Sequence, residues 1–123
     1  MQLTEEKSTA LYTIRAYEPN QITINDELYT NNLIVSTHAI FTNWRPEEAN
    51  DLQPADFDLI LEAKPEVVLI GTGQIQVFPE TVCLKPLIDA NIGYEIMNTL
   101  AACRTFNLLA NEQREVVAAL MLN

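Results

Sequence analysis

The 123-residue sequence has few of the residues that build metal centres and disulfide frameworks. It contains two cysteines, Cys83 and Cys103, without CxxC spacing, and a single histidine, His38. A zinc site would therefore have to be assembled from scattered parts, and a disulfide scaffold is excluded. We expect reduced thiols, no metal and no cofactor.

Positive charge is also scarce. Seven basic residues against seventeen acidic ones give a formal net charge of −10. Such a chain repels a phosphate backbone, so no nucleic-acid partner is expected. Residues 1–66 carry twelve acidic and four basic residues, a net charge of −8, whereas residues 67–123 carry five and three, a net charge of −2. The nearly neutral second half is the better place to look for specific polar chemistry.

Long hydrophobic runs are missing as well. The longest, such as residues 67–70 and 116–122, fall well short of the ~20 residues that span a bilayer, so no membrane span is predicted. The first residues show no basic patch followed by an apolar stretch, and they lack the arginine-rich character of an organelle presequence. We therefore expect a cytoplasmic location.

What is present is an ordinary globular composition, 48% hydrophobic with a mean hydropathy of +0.01. It predicts a loosely ordered N-terminus over residues 1–9 and a single α/β domain over residues 10–123. Residues 11–37 are rich in β-branched and aromatic residues and predict a β-meander with reversals at Pro19-Asn20 and Asn25-Asp26. A loop containing Phe41 and Trp44 is expected to follow.

The second half alternates helical and buried-strand patterns, which predicts a layered α/β body. Pro54 is suited to the first turn of a helix, and Pro65 ends that helix. The remaining prediction is a strand over 67–70, a helix over 78–89 that Pro86 interrupts, a strand over 94–97, a helix capped by Asn98 or Thr99 that runs to about 110, and a central strand in 114–123.

A candidate pocket is predicted where the two buried strands end. Glycines after a strand let backbone amides approach an anion, and the free amides of a capped helix add a positive dipole end. A dinucleotide fingerprint would need a third glycine where Gln76 stands, so a tight exit from the strand is the alternative interpretation. The candidate pocket residues are Gly71, Thr72, Gly73, Glu95, Met97, Asn98, Thr99 and Arg104.

Two further hypotheses concern polar and aromatic side chains. Arg104 requires a carboxylate partner such as Glu95 or Glu112, or else a ligand anion, and a polar network of Asn107, Glu112 and Arg114 would then fix the fold. Trp44 and Arg45 are candidate anchors for a protein partner, because interface hot spots favour these residue types. A core tryptophan is the alternative for Trp44.

Four segments resemble the signature of one domain family: residues 70–73, 95–99, 101–107 and 112–120. The family comprises small bacterial and archaeal proteins, the mitochondrial assembly factor three of NADH:ubiquinone oxidoreductase, and an animal adipogenesis-associated protein. The resemblance covers residues 10–121. It departs at Asn98, where many relatives carry aspartate, and over 83–86, where Pro86 interrupts a helix expected to be smoother.

The resemblance implies a three-layer α/β fold around a mixed central sheet, with an N-terminal β-hairpin extension and a final strand antiparallel to its neighbours. It supplies no catalytic residue. The leading hypothesis is a non-catalytic, cytoplasmic protein-interaction or assembly-factor-like module that binds another protein, with weak self-association left open. The alternative is a binder of a small anionic ligand, or an enzyme, using Gly71 to Gly73 and Asn98 to Arg104.

Overall fold

The computed structural model describes residues 12–123, and the predicted loose segment 1–9 lies outside them. Within the described range the chain forms strands and helices in an alternating order after an all-β start. The strands are β1 (Ile14–Glu18), β2 (Gln21–Ile24), β3 (Glu27–Tyr29), β4 (Leu33–Ser36), β5 (Ile40–Thr42), β6 (Val67–Thr72), β7 (Gly93–Met97) and β8 (Val116–Met121). The helices are α1 (Asp58–Ala63), α2 (Lys85–Asp89) and α3 (Thr99–Asn111), with short 3₁₀ turns at Ala49–Asp51, Pro54–Phe57 and Thr81–Leu84.

The main sheet is mixed, in the order β5-β4-β8-β6-β7. β8 lies at its centre, as the apolar residues on both faces of this strand predict, and all six of its residues are buried. It is antiparallel to β4 but parallel to β6, so the expectation that the final strand opposes both neighbours is wrong on one side. The reason is α3, which carries the chain back from β7 so that β8 enters the sheet in the direction of β6.

Side chains from the two faces of the main sheet form two cores, which makes the domain three-layered as expected. Leu69, Ala118 and Leu120 face α3, whereas Val68 and Ile70 face the layer of α1 and α2. The connections β6 to β7 and β7 to β8 run in opposite directions along the sheet. Since such crossovers are right-handed, α2 and α3 cover opposite faces.

The N-terminal strands form a separate antiparallel sheet in the order β1-β2-β3, which is the predicted hairpin extension. Its reversals place Asn20 and Asn25 in the left-handed region, with φ of 70° and 53°, as the predicted turns require. Ile14, Ile22 and Ile24 pack into the core on the α3 side.

The predicted meander breaks at β4, which joins the main sheet instead of the N-terminal one. Leu33, Ile34 and Val35 are all buried, and a strand buried on both faces requires an interior position. The segment expected to be a loop also contains a strand, because β5 (Ile40–Thr42) pairs with β4 along the edge of the sheet.

The helix predicted over 78–89 is shorter than expected, and it is not interrupted by proline. The chain is irregular over 73–80, turns through Thr81–Leu84 and enters α2 at Lys85. Pro86 occupies the second position of α2, where its missing amide has no helical partner to lose. Pro86 therefore lies in the first turn of α2 and does not interrupt it.

One side chain joins the N-terminal sheet to α3. Asn107 accepts a hydrogen bond from the Ile14 amide at 2.9 Å, and its Nδ2 donates to the Ile14 carbonyl at 2.8 Å. The amide side chain thus takes the place of a neighbouring strand for one residue of β1. The sequence predicted a polar role for Asn107, but as part of a network with Glu112 and Arg114.

We expect Asn107→Ala to destabilise the protein by about 1 to 2 kcal/mol, because two hydrogen bonds to a partly buried backbone are lost. Hydrogen exchange at the Ile14 amide should accelerate more than exchange in β8. Asn111→Ala, at the exposed end of α3, is the matched control and should leave both quantities nearly unchanged. Equal exchange at Ile14 in the two variants would contradict the role of Asn107.

Candidate functional site

The carboxyl ends of β6 and β7 meet at one edge of the sheet, and the predicted pocket residues cluster there. The loop after β6 leads to α2 and the loop after β7 leads to α3, on opposite faces. Adjacent strands whose connections diverge in this way commonly leave a ligand-binding crevice between their ends. Here the chain's own groups fill that position.

Thr99 occupies the centre of this edge and is fully buried. Its hydroxyl donates to the Met121 carbonyl at 2.6 Å and accepts from the Gly73 amide at 2.8 Å. Its own amide donates to the Gly73 carbonyl at 2.8 Å. In the predicted pocket the Gly73 amide would bind an anion. In the structure this amide already donates to the Thr99 hydroxyl.

Both glycines of the predicted pocket serve close packing. A Cβ on Gly71 would lie 2.9 Å from Thr99 Oγ1. Gly73 has a φ of +92°, and a Cβ there would lie 2.3 Å from the Asn123 carbonyl oxygen. The alternative interpretation, a tight exit from a buried strand, is the one that this geometry supports.

Thr72 folds the next segment back over the strand ends. Its hydroxyl donates to the Ile75 carbonyl at 2.7 Å and accepts from the Val77 amide at 3.0 Å. Gln76 Nε2 donates to the Ile96 carbonyl at 2.9 Å, which covers part of the free edge of β7. The loop over residues 73–77 is thus held in place by side chains as well as by its backbone.

The remaining pocket residues do not converge. Asn98 caps α3 as predicted, accepting from the Ala101 amide at 2.8 Å. The Thr105 hydroxyl lies 3.7 Å from Met97 Sδ, so this side of α3 faces β7. Arg104 lies about 100° further around the helix and is exposed, as is Glu95. Among residues 12–123, Arg104 forms no ion pair, and the predicted contact with Glu95 is absent.

The predicted polar network is likewise divided. Arg114 Nε donates to Glu66 Oε1 at 2.8 Å on an exposed surface. This hydrogen bond, with a second one from the Glu115 amide, lowers the pKa of Glu66. Glu112 is exposed at the end of α3, and Asn107 contacts β1 instead. Asn107 and Arg114 therefore form separate local contacts and no common network.

Trp44 and Arg45, the two predicted anchors for a protein partner, both contact residues of their own domain. Trp44 is only 9% exposed, packs against Phe57 and donates from Nε1 to the Asp56 carbonyl at 2.9 Å. Arg45 binds the Asp56 carboxylate with two nitrogens, at 2.9 and 2.7 Å. Burial acts to raise the pKa of Asp56, but the Arg45 hydrogen bond and the Gln53 amide outweigh it and hold that pKa low. The core alternative for Trp44 is correct.

The exposed apolar side chains lie elsewhere. Ten large hydrophobic side chains of the described residues are exposed, and four of them fall within eight consecutive positions. These four define the 75–82 surface: Ile75 (71% exposed), Val77 (37%), Phe78 (69%) and Val82 (62%). Residues 78–82 of this segment belong to the helix that the sequence pattern predicted over 78–89. The signal that this prediction missed is a run of apolar residues around Pro79 without helical spacing.

A cleft of about 290 Å³ adjoins the 75–82 surface. One wall comes from the loop after β6 and the other from the 3₁₀ turn Ala49–Asp51 and the residue before it. Glu48 and Asn50 are exposed at the second wall, opposite Ile75 and Val77. The cleft is lined by Glu48, Ala49, Asn50, Thr72, Gln74, Ile75, Val77 and Asn123. Of the predicted pocket residues, Thr72 alone contributes to it.

A second cleft, of about 360 Å³, lies beside the β1–β2 turn, the link from β3 to β4 and the residues after β5, and five of its ten lining residues are asparagines. Asn32, one of these asparagines, forms hydrogen bonds within the domain through both atoms of its side-chain amide. Asn32 Nδ2 donates to the Pro46 carbonyl at 2.7 Å, and its Oδ1 accepts from the Leu122 amide at 2.7 Å. Asn32 therefore ties three segments together, a role that no local sequence pattern indicated.

Cys103 lies on the buried face of α3 and is 4% exposed. Burial raises the pKa of this thiol from 9.0 to about 12. Cys83, on the opposite side of the sheet, is also buried and donates from Sγ to the Leu52 carbonyl. Neither thiol is placed as an activated nucleophile.

No group of three or more histidine, cysteine, aspartate or glutamate side chains in residues 12–123 is arranged to hold a metal ion. No helix in that range is long and apolar enough to cross a bilayer.

Fold and site together define a three-layer α/β domain whose strand-end crevice is closed by its own loop and bordered by an exposed apolar surface. The chain belongs to the family described as "Protein of unknown function (DUF498/DUF598)", whose profile matches residues 14–121. The family resemblance drawn from the sequence is thereby confirmed.

Known relatives cover nearly all of this chain. The "13 kDa major membrane protein" of Francisella tularensis subsp. holarctica (strain LVS) is 32% identical over 117 residues, which are 94% of this chain and 95% of that protein. The human "NADH dehydrogenase (ubiquinone) 1 alpha subcomplex assembly factor 3" is 29% identical over 121 residues; the match covers 97% of this chain and 65% of that protein. A crystal structure from Bordetella parapertussis matches with a TM-score of 0.86 and 31% identity, over 95% of this chain and all of that one.

Gly73→Ala is expected to destabilise the protein by about 2 to 4 kcal/mol, because the left-handed backbone strains any side chain and the new Cβ meets the Asn123 carbonyl. Gly93→Ala is the matched control, since the nearest atom to its Cβ would be 3.6 Å away. It should be neutral or stabilise by up to about 1 kcal/mol. Urea unfolding of both variants tests this, and equal midpoints would refute the assigned role of Gly73.

The raised pKa of Cys103 predicts a stability loss at high pH. A folded-state pKa above the ordinary value favours folding below pH 9, and this contribution is lost as the pH rises from 9 toward 12. The wild-type free energy of unfolding should fall by up to about 1.4 kcal/mol per pH unit more steeply than that of Cys103→Ala. Parallel curves for the two proteins between pH 9 and 10.5 would show that Cys103 is not shielded from solvent.

Proposed function

We propose that this chain is a non-catalytic, cytoplasmic protein-interaction module with an assembly-factor-like role, and that it binds another protein through the 75–82 surface. The observation that carries the proposal is an exposed apolar surface whose first residues, 75–77, are held by side-chain hydrogen bonds. Single exposed hydrophobic residues are common, but a contiguous group of them in an otherwise acidic domain is typical of an interaction site.

Hydrogen bonds that hold residues 74–77 support a binding role for the 75–82 surface. Thr72 bonds the backbone of Ile75 and Val77, and Gln76 bonds β7. The Gln74 amide donates to the Asn123 carbonyl at 3.1 Å. A loop that is already ordered loses little conformational entropy on binding, so more of its contact energy contributes to affinity.

The names of relatives favour an interaction role. The human protein that matches over 97% of this chain is named as an assembly factor for NADH dehydrogenase. Assembly factors act by contacting other proteins, which agrees with a domain whose apolar side chains are displayed at the surface. We extend the general role to this chain, and the identity of the assembled complex is part of the proposal only by analogy.

The cysteines support a cytoplasmic location. Cys83 and Cys103 are both free and buried, and they lie in the two different cores of the domain. No disulfide can join them across the central sheet. Unpaired buried thiols are usual in reducing compartments, where disulfides are rare.

The alternative function, binding of a small anion at Gly71 to Gly73 and Asn98 to Arg104, has less support. The amides of Gly73 and Ala101 are bonded to Thr99 and Asn98. Arg104 is exposed on the outer face of α3, away from the strand ends. An anion placed at the strand ends would have to displace the internal hydrogen bonds of Thr99.

Affinity purification of the tagged chain at endogenous expression tests the proposal. We expect a stoichiometric partner with the wild type and at least tenfold less of it with Phe78→Ser, since truncating a central apolar contact removes more than 1 kcal/mol of binding energy. Leu28→Ser is the matched control, because Leu28 is 58% exposed on β3.

The partner is then purified, and its affinity for the three proteins is measured by calorimetry. Retention of full affinity by Phe78→Ser, with loss in Leu28→Ser, would move the interface to the N-terminal sheet. Wild-type preparations that contain no stoichiometric protein under crosslinking conditions would contradict the interaction role itself.

A further inference from the structure

We propose that the element recognised by the 75–82 surface is a basic amphipathic helix, whose apolar side chains enter the cleft between residues 48–50 and 72–77. This inference rests on the proposed function and specifies the chemistry of the partner. It is carried by the juxtaposition, in one cleft, of the apolar side chains Ile75 and Val77 with the exposed carboxylate of Glu48. A second exposed carboxylate, Glu80, lies on the segment that carries the apolar side chains.

The size of the cleft suits side chains better than a free ligand. An engineered cavity of about 150 Å³ holds one benzene molecule, so about 290 Å³ admits one or two large apolar side chains. Two such side chains at positions i and i+4 of a helix lie on the same face, about 6 Å apart. A helix lying across Ile75 and Val77 could therefore place both in the cleft.

The charged side chain that lines the cleft is acidic. Glu48 is part of its wall, and Glu80 follows Phe78 on the same loop; both are exposed. Within residues 12–123 neither carboxylate forms an ion pair. The basic side chains that do form ion pairs bind other carboxylates, since Arg45 binds Asp56, Lys85 binds Asp89 and Arg114 binds Glu66. Arg45 also donates to the Asp51 carbonyl at the end of the 3₁₀ turn, but it does not line the cleft. Lysine or arginine from a partner would supply the missing positive charge.

Charge also favours a basic helix over two other possible occupants of the cleft, a second copy of the chain and a membrane surface. A second copy of the chain would bring a further ten net negative charges toward the same carboxylates. An anionic bilayer surface would be repelled for the same reason, although a relative is named as a membrane protein. A basic helix is attracted by the same field, which accelerates association and fixes orientation.

The test uses synthetic peptides as probes of the purified full-length chain. The first is an amphipathic helix with leucine at i, i+3, i+4 and i+7 and lysine on the polar face. The second carries glutamate in place of lysine, and the third carries serine in place of leucine. Binding is followed by NMR through the methyl groups of Ile75, Val77 and Val82, at low and at physiological salt.

We expect the leucine-lysine peptide to shift these methyl signals, with an affinity that falls as salt is raised. Ile75→Ser should weaken binding about tenfold, and the double variant Glu48→Gln/Glu80→Gln about three- to tenfold. Leu28→Ser and Glu112→Gln, which alter an exposed leucine and an exposed carboxylate elsewhere, should leave the affinity within twofold of the wild type.

Several results would overturn the inference. Equal binding of the glutamate peptide would show that charge plays no part, and equal binding of the serine peptide would show that the attraction is non-specific. Methyl shifts confined to other parts of the domain would place the site elsewhere. Ile75-dependent binding to vesicles of anionic or neutral phospholipid without peptide would indicate a membrane surface, and Ile75-dependent dimers in sedimentation would indicate self-association.

The inference and the proposed function can fail separately. If a purified partner requires Phe78 and Ile75 but binds Glu48→Gln/Glu80→Gln with unchanged affinity, the interaction surface is correct and the basic helix is wrong. If the leucine-lysine peptide binds the cleft as expected while no partner depends on Phe78, the chemistry of the cleft is correct and the function proposed for it is wrong.

Discussion

The fold depends on one buried hydroxyl. Thr99 Oγ1 donates to the end of β8 at Met121 and accepts from the exit of β6 at Gly73, while the rest of the residue begins α3. Three segments far apart in sequence are thereby joined at a point from which solvent is excluded. Water cannot replace either hydrogen bond there. If one were lost, the partner left without it would destabilise the fold by the full desolvation free energy of a buried polar group. The close approach of Gly71 and Gly73 follows from the same contact, since only residues without a Cβ allow the strand, the helix and residue 123 to meet.

This contact also determines where function can reside. In open α/β sheets the diverging loops after neighbouring strands leave a crevice, and ligands usually occupy it. In this domain Thr99 and the loop ordered by Thr72 occupy that crevice instead. The apolar residues that follow, from Ile75 to Val82, therefore lie outside, at the position where a ligand-binding fold would have its entrance. The strand ends are occupied by internal hydrogen bonds, and the exposed apolar surface beside them is the feature on which the proposed protein-interaction role depends.

The sequence predicted what depends on local patterns. Continuous apolar runs identified β6 and β8 as buried strands, Asn98 was recognised as a cap, and the asparagine turns were placed correctly. It could not predict that β4 leaves the meander, because its partner β8 lies more than eighty residues away. The sequence also could not determine that Arg104 is exposed and Trp44 is buried, for a related reason. A side chain's environment depends on which helix face or distant carbonyl it meets, and only the assembled sheet determines that.

The 75–82 surface is difficult to explain by stability alone. Ile75, Phe78 and Val82 each leave most of their area in water, so their transfer energy does not contribute to folding, and polar residues there would cost nothing. Yet the segment is ordered by Thr72 and Gln76, whose bonds fix the backbone from which these side chains project. Apolar exposure of this kind favours aggregation unless something opposes it. Here the opposing element is charge: Glu48 and Glu80 border the surface, and the net charge of −10 makes every second copy a repulsive partner. In the proposed function, the carboxylates that repel a second copy of the chain attract a partner of opposite charge, so one arrangement opposes self-pairing and favours the proposed partner.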